Sequence, residues 1–259
     1  MSAEARQQRI ADAPELDAAL AAIDGVEGWL SEDQARRLWD AAVAVRGGGQ
    51  IVEIGSFRGR STIVLSRAAA EGVRIVAIDP HGGGDRGPQE ISPDKVRGDE
   101  DNRVFRANLE GAGVNGRVRH VRLLSDQAHS EVDGPIDMLY VDGAHRFKPA
   151  RDDIAAWGAR VPVGGTLLVH DAYNAIGVML AQLRLLFFSR EWRYVGRSRS
   201  LGQYRRLPMS SSERLSNALR QAVQIPYFVR NLAIKVALVA RLRPVARLLG
   251  QPDEDAWPY

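Results

Sequence analysis

Residues 49–208 alternate short apolar runs with segments of helical periodicity, and this alternation restricts the fold more than any other feature of the chain. The apolar runs have the length of strands, and the segments between them place apolar residues on one helical face. Such a rhythm is typical of a parallel sheet covered by helices on both faces. The predicted strands are residues 50–55, 74–79, 118–124, 136–142 and 166–171, and the predicted helices are residues 61–72, 101–113, 148–161 and 175–190.

Residues 192–207 add two short strands around a turn that contains glycine, which predicts an antiparallel hairpin at one edge of the sheet. The fold predicted for the whole chain is therefore α/β: a Rossmann-like, doubly wound, mostly parallel sheet of seven strands, with further helices at both ends of the chain. A length of 259 residues with 45% hydrophobic residues suits one catalytic domain with appendages.

The flanking segments read as helical. Residues 1–48 predict an N-terminal helical cover that has a cap at Ser31 and stops at three glycines, 47–49. Residues 49–208 form the predicted catalytic domain. Residues 209–259 predict basic amphipathic helices: two over 213–249, broken at Pro226, of which the first opens with a Ser210-x-x-Glu213 capping box.

The composition excludes some kinds of site and favours one compartment. The chain has no cysteine, so disulfides and thiolate metal sites are excluded, and any metal must be held by oxygen and nitrogen ligands. Its start lacks the basic-then-apolar order of a signal peptide, and about 18 uninterrupted apolar residues occur nowhere. The prediction is a cytoplasmic protein.

The positive charge is concentrated near the C-terminus. Removing this stretch and the acidic tail leaves residues 1–213 with a net charge of −1, so a nucleic-acid substrate is not favoured. The basic amphipathic helices could pack on the domain, lie on an anionic membrane, bind a polyanionic or lipid-linked acceptor, or join a second subunit in a homodimer. The basic residues of the stretch are Arg214, Arg220, Arg230, Lys235, Arg241, Arg243 and Arg247.

The segment 53–61, EIGSFRGRS, follows the first predicted strand and opens a helix. Glycines in this position let a ligand approach backbone N–H groups at a helix N-terminus. The spacing fits neither a P-loop nor the three-glycine dinucleotide fingerprint, and glycines needed only for packing at a strand–turn–helix junction would look similar. The polar and glycine residues of the segment that could face a ligand are Glu53, Gly55, Ser56, Gly59 and Ser61.

This segment resembles motif I of the class I S-adenosylmethionine (SAM)-dependent methyltransferases, which have an acid two positions before the first glycine. The resemblance implies that Asp79, at the end of the next strand, accepts hydrogen bonds from the ribose hydroxyls. It also implies that Ser125 and Asp126, after the third strand, contact adenine. Taken singly, Asp79 before Pro80 could start a turn, and Asp126 could cap a helix.

Aspartate and histidine follow the next two strands, as Asp142-x-x-His145 and His170-Asp171. This pattern is similar to a metal-dependent subgroup of these enzymes that includes macrolide-sugar O-methyltransferases, over roughly residues 50–207. The resemblance implies that Asp142, His170 and Asp171 hold Mg²⁺ and that His145 is the general base. Relatives often have Glu or Asp at the position of His170, and imidazole is softer than Mg²⁺ prefers. Mn²⁺, or a His170 that only orients a metal-bound water, is therefore an alternative. Asp153 is predicted to support the site rather than to bind the metal.

These groups suit methylation of a hydroxyl, because a protonated alcohol is a poor nucleophile that a metal and an imidazole help to ionise. The predicted activity is O-methylation of a sugar or saccharide-containing metabolite, a small-molecule or oligosaccharide acceptor. A sugar is preferred because an aliphatic hydroxyl is harder to ionise than a phenol and has more need of a dedicated base. The loop 81–101, the predicted lid, also has no aromatic residue. The alternatives are a catechol or phenolic acceptor, a metal-dependent hydroxylase or hydrolase-like enzyme on the same sheet, and a SAM- or lipid-binding module without catalysis. His81 could reach the ligand or lie in a solvated loop, and His120 and His129 look structural.

Overall fold

The computed structural model describes residues 15–84 and 92–251, and in this part the sheet has seven strands in the order β3-β2-β1-β4-β5-β7-β6. The first five strands along the chain pair in parallel, and β7 joins β5 antiparallel. The predicted doubly wound sheet and its antiparallel edge hairpin are thus confirmed. The strands are β1 Gln50–Ile54, β2 Arg74–Ile78, β3 Val118–Val121, β4 Met138–Val141, β5 Thr166–Val169, β6 Trp192–Ser198 and β7 Leu201–Arg206.

The central strands are buried on both faces, which explains their continuous apolar runs. All residues of β1, β4 and β5 are buried. Successive side chains alternate between two hydrophobic cores, so that Ile51 belongs to one core and Val52 to the other. The helices that cover these cores are α1, residues 15–22, α2 Glu32–Val43, α3 Arg60–Ala68, α4 Lys95–Gly111, α5 Phe147–Gly158 and α6 Ile176–Leu185.

The N-terminal helices pack on the sheet, and one arginine fixes the loop between them. The predicted cap at Ser31 is present as a capping box with Gln34. The guanidinium of Arg60, at the start of α3, donates to the carbonyl oxygens of Ile23, Val26 and Leu30. The loop between α1 and α2 is therefore held beside the N-terminus of α3. Residues 1–14 of the predicted cover lie outside the described residues.

Several predicted boundaries were wrong. Helices α3 and α6 end at Ala68 and Leu185, before the predicted residues 72 and 190. Helix α4 begins at Lys95 rather than at residue 101, because Asp94 caps it by accepting from the N–H of Arg97. The end of the predicted lid is therefore helical, while its residues 85–91 lie outside the described residues. Strand β3 ends at Val121, and residues 125–127 form a short 3₁₀ turn.

The C-terminal segment, predicted as two helices, contains three in the described part of the chain. They are α7 Ser211–Ala222, α8 Ile225–Val239 and α9 Arg243–Leu248. The predicted Ser210–Glu213 capping box opens α7, and Pro226 lies in the first turn of α8, where proline is tolerated. By length and composition alone, the stretch Ser211–Val239 could cross a membrane, which differs from the sequence expectation.

Candidate active site

A cavity of about 690 Å³ lies at the carboxyl ends of the parallel strands, where ligands bind in open α/β sheets. Its volume is in the range of small-molecule sites. Eight of the predicted site residues line it: Gly55, Ser56, Ser61, Asp79, Ser125, Asp126, Asp142 and His145. The other four, Glu53, Gly59, His170 and Asp171, are not among its lining residues, and they lie behind or beside it.

The two glycines of the loop after β1 are both required by the backbone. Gly55 has a φ of +85°, and Gly59, directly before α3, has a φ of +89°. A Cβ atom on Gly59 would lie 3.2 Å from the ring of Phe105. The loop therefore turns tightly from β1 into α3 and presents its backbone to the cavity.

The Asp79 carboxylate holds the loop after β1 in place. It accepts hydrogen bonds from the N–H groups of Ser56 at 2.9 Å and Phe57 at 2.8 Å. Its second oxygen accepts from the N–H of His81 at 2.7 Å. The acid that the resemblance assigns to ribose recognition thus also fixes the turn, and any bond to a ribose hydroxyl would be made in addition to these three.

Glu53 is buried beneath the same loop among hydroxyl groups. Ser56 Oγ donates to Glu53 Oε2 at 3.0 Å, and the hydroxyls of Ser61 and Thr62 also donate to the carboxylate. Burial raises the pKa of Glu53 to about 7, the three hydroxyls oppose this rise, and the charge of Asp142 adds to it. Glu53 thus links the loop to α3 rather than facing the cavity directly.

Asp153 of α5 supports the turn after β3. It lines the cavity and accepts a hydrogen bond of 2.5 Å from Ser125 Oγ. Its pKa is raised to about 6 by burial, against the effect of the Ser125 hydroxyl. Ser125 and Asp126 both reach the cavity from this turn.

His145 and Asp171 form a close pair across the ends of β4 and β5. His145 Nε2 lies 2.9 Å from Asp171 Oδ2, and the other oxygen of Asp171 accepts from Asn174 Nδ2 at 2.9 Å. Burial lowers the pKa of His145, but Asp171 more than offsets this, so the pKa is raised overall. Asp171 has a φ of +51°, which is uncommon for a residue other than glycine and is frequent at functional sites.

Packing against α6 fixes the loop that carries His145. A Cβ atom on Gly177 would lie 2.3 Å from the carbonyl oxygen of His145. Any larger residue at Gly177 would therefore push this loop away from α6 and from Asp171.

His170 lies between the two carboxylates that the resemblance assigns to a metal. Its Nδ1 is 3.2 Å from Asp142 Oδ1 and 3.7 Å from Asp171 Oδ1, and its side chain is 2% exposed. Asp142 also accepts a hydrogen bond of 2.7 Å from the hydroxyl of Tyr140. Burial lowers the pKa of His170, but the charges of Asp142 and Asp171 raise it well above its usual value.

A divalent ion does not fit the predicted ligand set as these residues are arranged. Nδ1 of His170 already lies within 4 Å of an oxygen of each carboxylate, and Asp171 is also paired with His145. Over residues 15–84 and 92–251, no group of three or more His, Asp or Glu side chains is disposed to hold a metal ion.

Two aromatic residues on the cavity wall had no signal in the sequence. Trp29, from the loop between α1 and α2, and Phe57, from the loop after β1, lie with ring centroids 5.1 Å apart. Arg60 holds the loop of Trp29 beside α3, and this tertiary contact brings an aromatic side chain to the site without any local motif.

The remaining histidines hold structure around the site. His81 is buried rather than solvated: it lines the cavity, and its Nε2 is 2.7 Å from the carbonyl oxygen of Phe57. Burial lowers the pKa of His120 to about 4, with the nearby His81 adding to this effect. His129 stacks on Trp157 at 4.3 Å.

Comparison with known proteins identifies the family. Residues 52–172 match a family described as a methyltransferase domain. The chain is 30% identical to a catechol O-methyltransferase of Mycobacterium tuberculosis, over 67% of this chain and 71% of that protein.

Solved structures share the fold. The crystal structure of cofactor-bound Rv0187 from MTB is similar with a TM-score of 0.54 and 21% identity, over 76% of this chain and 91% of that one. An O-methyltransferase from Bacillus cereus in complex with SAH gives a TM-score of 0.53 and 18% identity, over 74% and 91%. With the sequence match, these likenesses show that the chain belongs to the class I SAM-dependent O-methyltransferases.

Proposed function

We propose that the protein transfers the methyl group of SAM to a hydroxyl of a sugar or saccharide-containing metabolite and that His145 removes the hydroxyl proton. The observation that supports the base most directly is the 2.9 Å contact between His145 Nε2 and Asp171 Oδ2. A carboxylate that holds one imidazole nitrogen orients the ring and stabilises its protonated form. In this arrangement, Nδ1 of His145 is the proton acceptor.

The reaction is a single displacement. Bound SAM supplies a methyl group that its sulfonium already activates. The acceptor oxygen forms a bond to the methyl carbon as the carbon–sulfur bond breaks, and the hydroxyl proton passes to His145. The residues of the cavity wall contribute position: the loop after β1, held by Asp79, faces the cofactor, and Asp142 and His145 stand beside it.

The divalent metal implied by the resemblance stays a prediction. Asp142 and Asp171 would supply its carboxylate oxygens, and the metal would lower the pKa of a coordinated hydroxyl. For a cation to enter, the His170 nitrogen would have to leave the gap between these carboxylates or become a ligand itself. The base proposed here does not depend on that change.

A catechol is the second candidate acceptor, and a specific observation favours it. Trp29 and Phe57 place aromatic surface on the cavity wall, although the described part of the predicted lid has none. A flat phenolic ring would pack on such a surface. The relative from Mycobacterium tuberculosis carries this activity in its name. Both acceptor classes offer a vicinal diol, so the same base serves either one.

The test is a methyl-transfer assay on purified protein with SAM, Mg²⁺ or Mn²⁺, and two sets of acceptors: vicinal-diol sugars and catechols. The proposal predicts a mass gain of one methyl group on a sugar and a loss of this activity, with SAM binding retained, in His145→Ala. Methylation of catechols alone would replace the sugar by the second candidate. Full activity of His145→Ala would contradict the proposed base.

A further inference from the structure

Helices α7 and α8 turn an apolar surface away from the protein. The buried positions of α7 are polar or small, whereas its outward stripe at a spacing of four residues is Leu215, Leu219 and Val223. On α8, the most exposed side chains are likewise apolar, with Val236 at 61% and Val239 at 73% exposure. We call this surface the C-terminal face, and its residues are Leu215, Leu219, Val223, Val229, Val236 and Val239.

Hydrogen bonds of buried amides fix this inverted orientation. Asn217 accepts from the N–H of Tyr194 at 2.7 Å and donates to the carbonyl of Trp192 at 3.1 Å. Asn231 of α8 donates to the carbonyl of Tyr173 at 3.1 Å. A helix on the surface of a domain ordinarily buries its apolar side and exposes its polar side. On α7 the polar side attaches the helix, and on α8 Asn231 does so together with the buried Ile234 and Ala237. The apolar residues of the C-terminal face stay exposed and available for a partner.

The charges around the C-terminal face are almost all positive. Residues 211–251 contain seven Arg or Lys residues, of which Lys235 donates inward to the carbonyl oxygen of Asn174, and their acid, Glu213, is paired with Arg193 at 2.6 Å. A groove of about 510 Å³ opens next to Val223, and Arg197 and Arg220 are among its lining residues. Helix α9, which follows α8, also exposes both a basic and an apolar side chain: Arg243 and Leu248, the latter 87% exposed. A partner that covers this face must be apolar inside and anionic at its rim.

Two other occupants fit less well. A second copy of the chain would bring two positively charged faces together, which like-charge repulsion opposes. The C-terminal residues 252–259 carry three acids but number eight, so they reach at most about 27 Å. The stretch Ser211–Val239 has 29 residues and is about 43 Å long. The tail would therefore cover part of the face and neutralise part of its charge.

We propose that the C-terminal face binds the surface of an anionic lipid bilayer. Helices with apolar residues on one side and Arg or Lys beside them bind in the plane of such a surface, with the apolar side in the headgroup region. The bonds of Asn217 and Asn231 keep α7 and α8 on the domain, so the contact is along the surface and not across the membrane. The methyltransferase cavity is at the carboxyl edge of the sheet, and the chain would carry out its reaction close to the bilayer.

The test is flotation of the full-length protein with vesicles of phosphatidylcholine alone or with about one third phosphatidylglycerol. We expect binding to the anionic vesicles only, and less of it at high salt, because salt screens the attraction. Replacing two apolar residues, Val229→Ser with Val236→Ser, should lower the vesicle affinity at least about tenfold. Replacing two basic residues, Arg220→Gln with Arg243→Gln, should lower it about fivefold for each arginine.

Matched controls lie in the turns before β1 and β5 and at the start of β2, outside α7 and α8. Val163→Ser changes a valine that is 67% exposed, and Arg46→Gln with Arg74→Gln removes two exposed charges. These variants should bind vesicles like the wild type. Melting temperature and SAM affinity, measured on every variant, separate a lost surface from a misfolded protein. A chain that stops at Gln251 should bind at least as well, since the tail is acidic.

Some outcomes would overturn the proposal. They are equal binding to neutral and anionic vesicles, or no binding to either. If neither vesicle is bound, the oligomeric state is measured by sedimentation. A wild-type dimer that dissociates in the double variant Val229→Ser with Val236→Ser would make the face a subunit interface. None of these results depends on methyl transfer, so they leave the proposed reaction untouched.

Discussion

A Cβ atom on Gly55 would lie 2.2 Å from the carbonyl oxygen of Asp142, so the loop after β1 and the loop after β4 touch through their backbones. The N–H of Asp142 also donates to the carbonyl of Ile54 at 2.8 Å. Under the proposed function, the first loop faces the cofactor and the second carries the base, His145. Their contact would then set the distance between the methyl donor and the base.

We expect Gly55→Ala to lower the free energy of unfolding by about 2–4 kcal/mol, because the methyl group meets backbone and φ is unfavourable. SAM binding should weaken with it, since the loop must shift. Gly48→Ala is the control: its φ of +83° is close to the +85° of Gly55, but nothing lies within 4 Å of its Cβ. Gly48→Ala should lower the free energy of unfolding by about 1 kcal/mol. Urea unfolding and calorimetry measure both quantities, and equal losses in the two variants would contradict the role of the contact.

The pH dependence of kcat/KM tests the His145–Asp171 pair. The base must be neutral to accept a proton, so activity should fall as the pH drops through the pKa of His145, which is raised above its usual value. Asp171→Asn keeps the shape of the side chain but removes the charge that raises this pKa. The acidic limb of the profile should therefore move to lower pH. The plateau value of kcat/KM should fall as well.

His145→Ala should reduce kcat by about 10²–10⁴-fold and leave SAM affinity unchanged. His129→Gln, which removes an exposed histidine that stacks on Trp157, serves as the control and should retain kcat. If the acidic limb kept its position in Asp171→Asn, another group would be responsible for it.

The sequence predicted the sheet well because each central strand is buried on both faces, so its apolar run marks its position without reference to other elements. It also placed the polar residues at the right edge, since parallel strands end on one side. The onset of α4 was missed because Asp94 had been read as part of a loop, although its side chain caps the helix.

The relations that define the site chemistry were harder to predict. Trp29 reaches the cavity because Arg60 holds its loop. His145 meets Asp171 across the ends of two strands, where Gly177 of α6 packs against the His145 backbone. These are tertiary contacts between segments far apart in the chain. No local pattern of residues encodes them.

Glu53 should make stability depend on pH with a distinctive sign. Its pKa in the folded protein is about 7, against 4.5 for an ordinary glutamate. Between these values, the folded state keeps a proton that the unfolded state has lost, so the free energy of unfolding falls as pH rises, by about 3 kcal/mol over the interval. Glu53→Gln should remove this component, and the exposed Glu71→Gln should not. Urea unfolding at about pH 5 and about pH 7 measures how far the free energy of unfolding changes between them. An equal change in the wild type and in Glu53→Gln would refute the assignment to Glu53.

Metal dependence is tested best at His170, whose Nδ1 is 3.2 Å from Asp142 Oδ1. The resemblance predicts that a chelator lowers turnover and that Mg²⁺ or Mn²⁺ restores it. Mn²⁺ should act at the lower concentration, since imidazole is a softer ligand than Mg²⁺ prefers. His170→Asp exchanges the imidazole for an oxygen ligand and should lower the Mg²⁺ concentration for half-restoration about tenfold. If the chelator leaves turnover intact in both proteins, the His145–Asp171 pair deprotonates the acceptor without help from a cation.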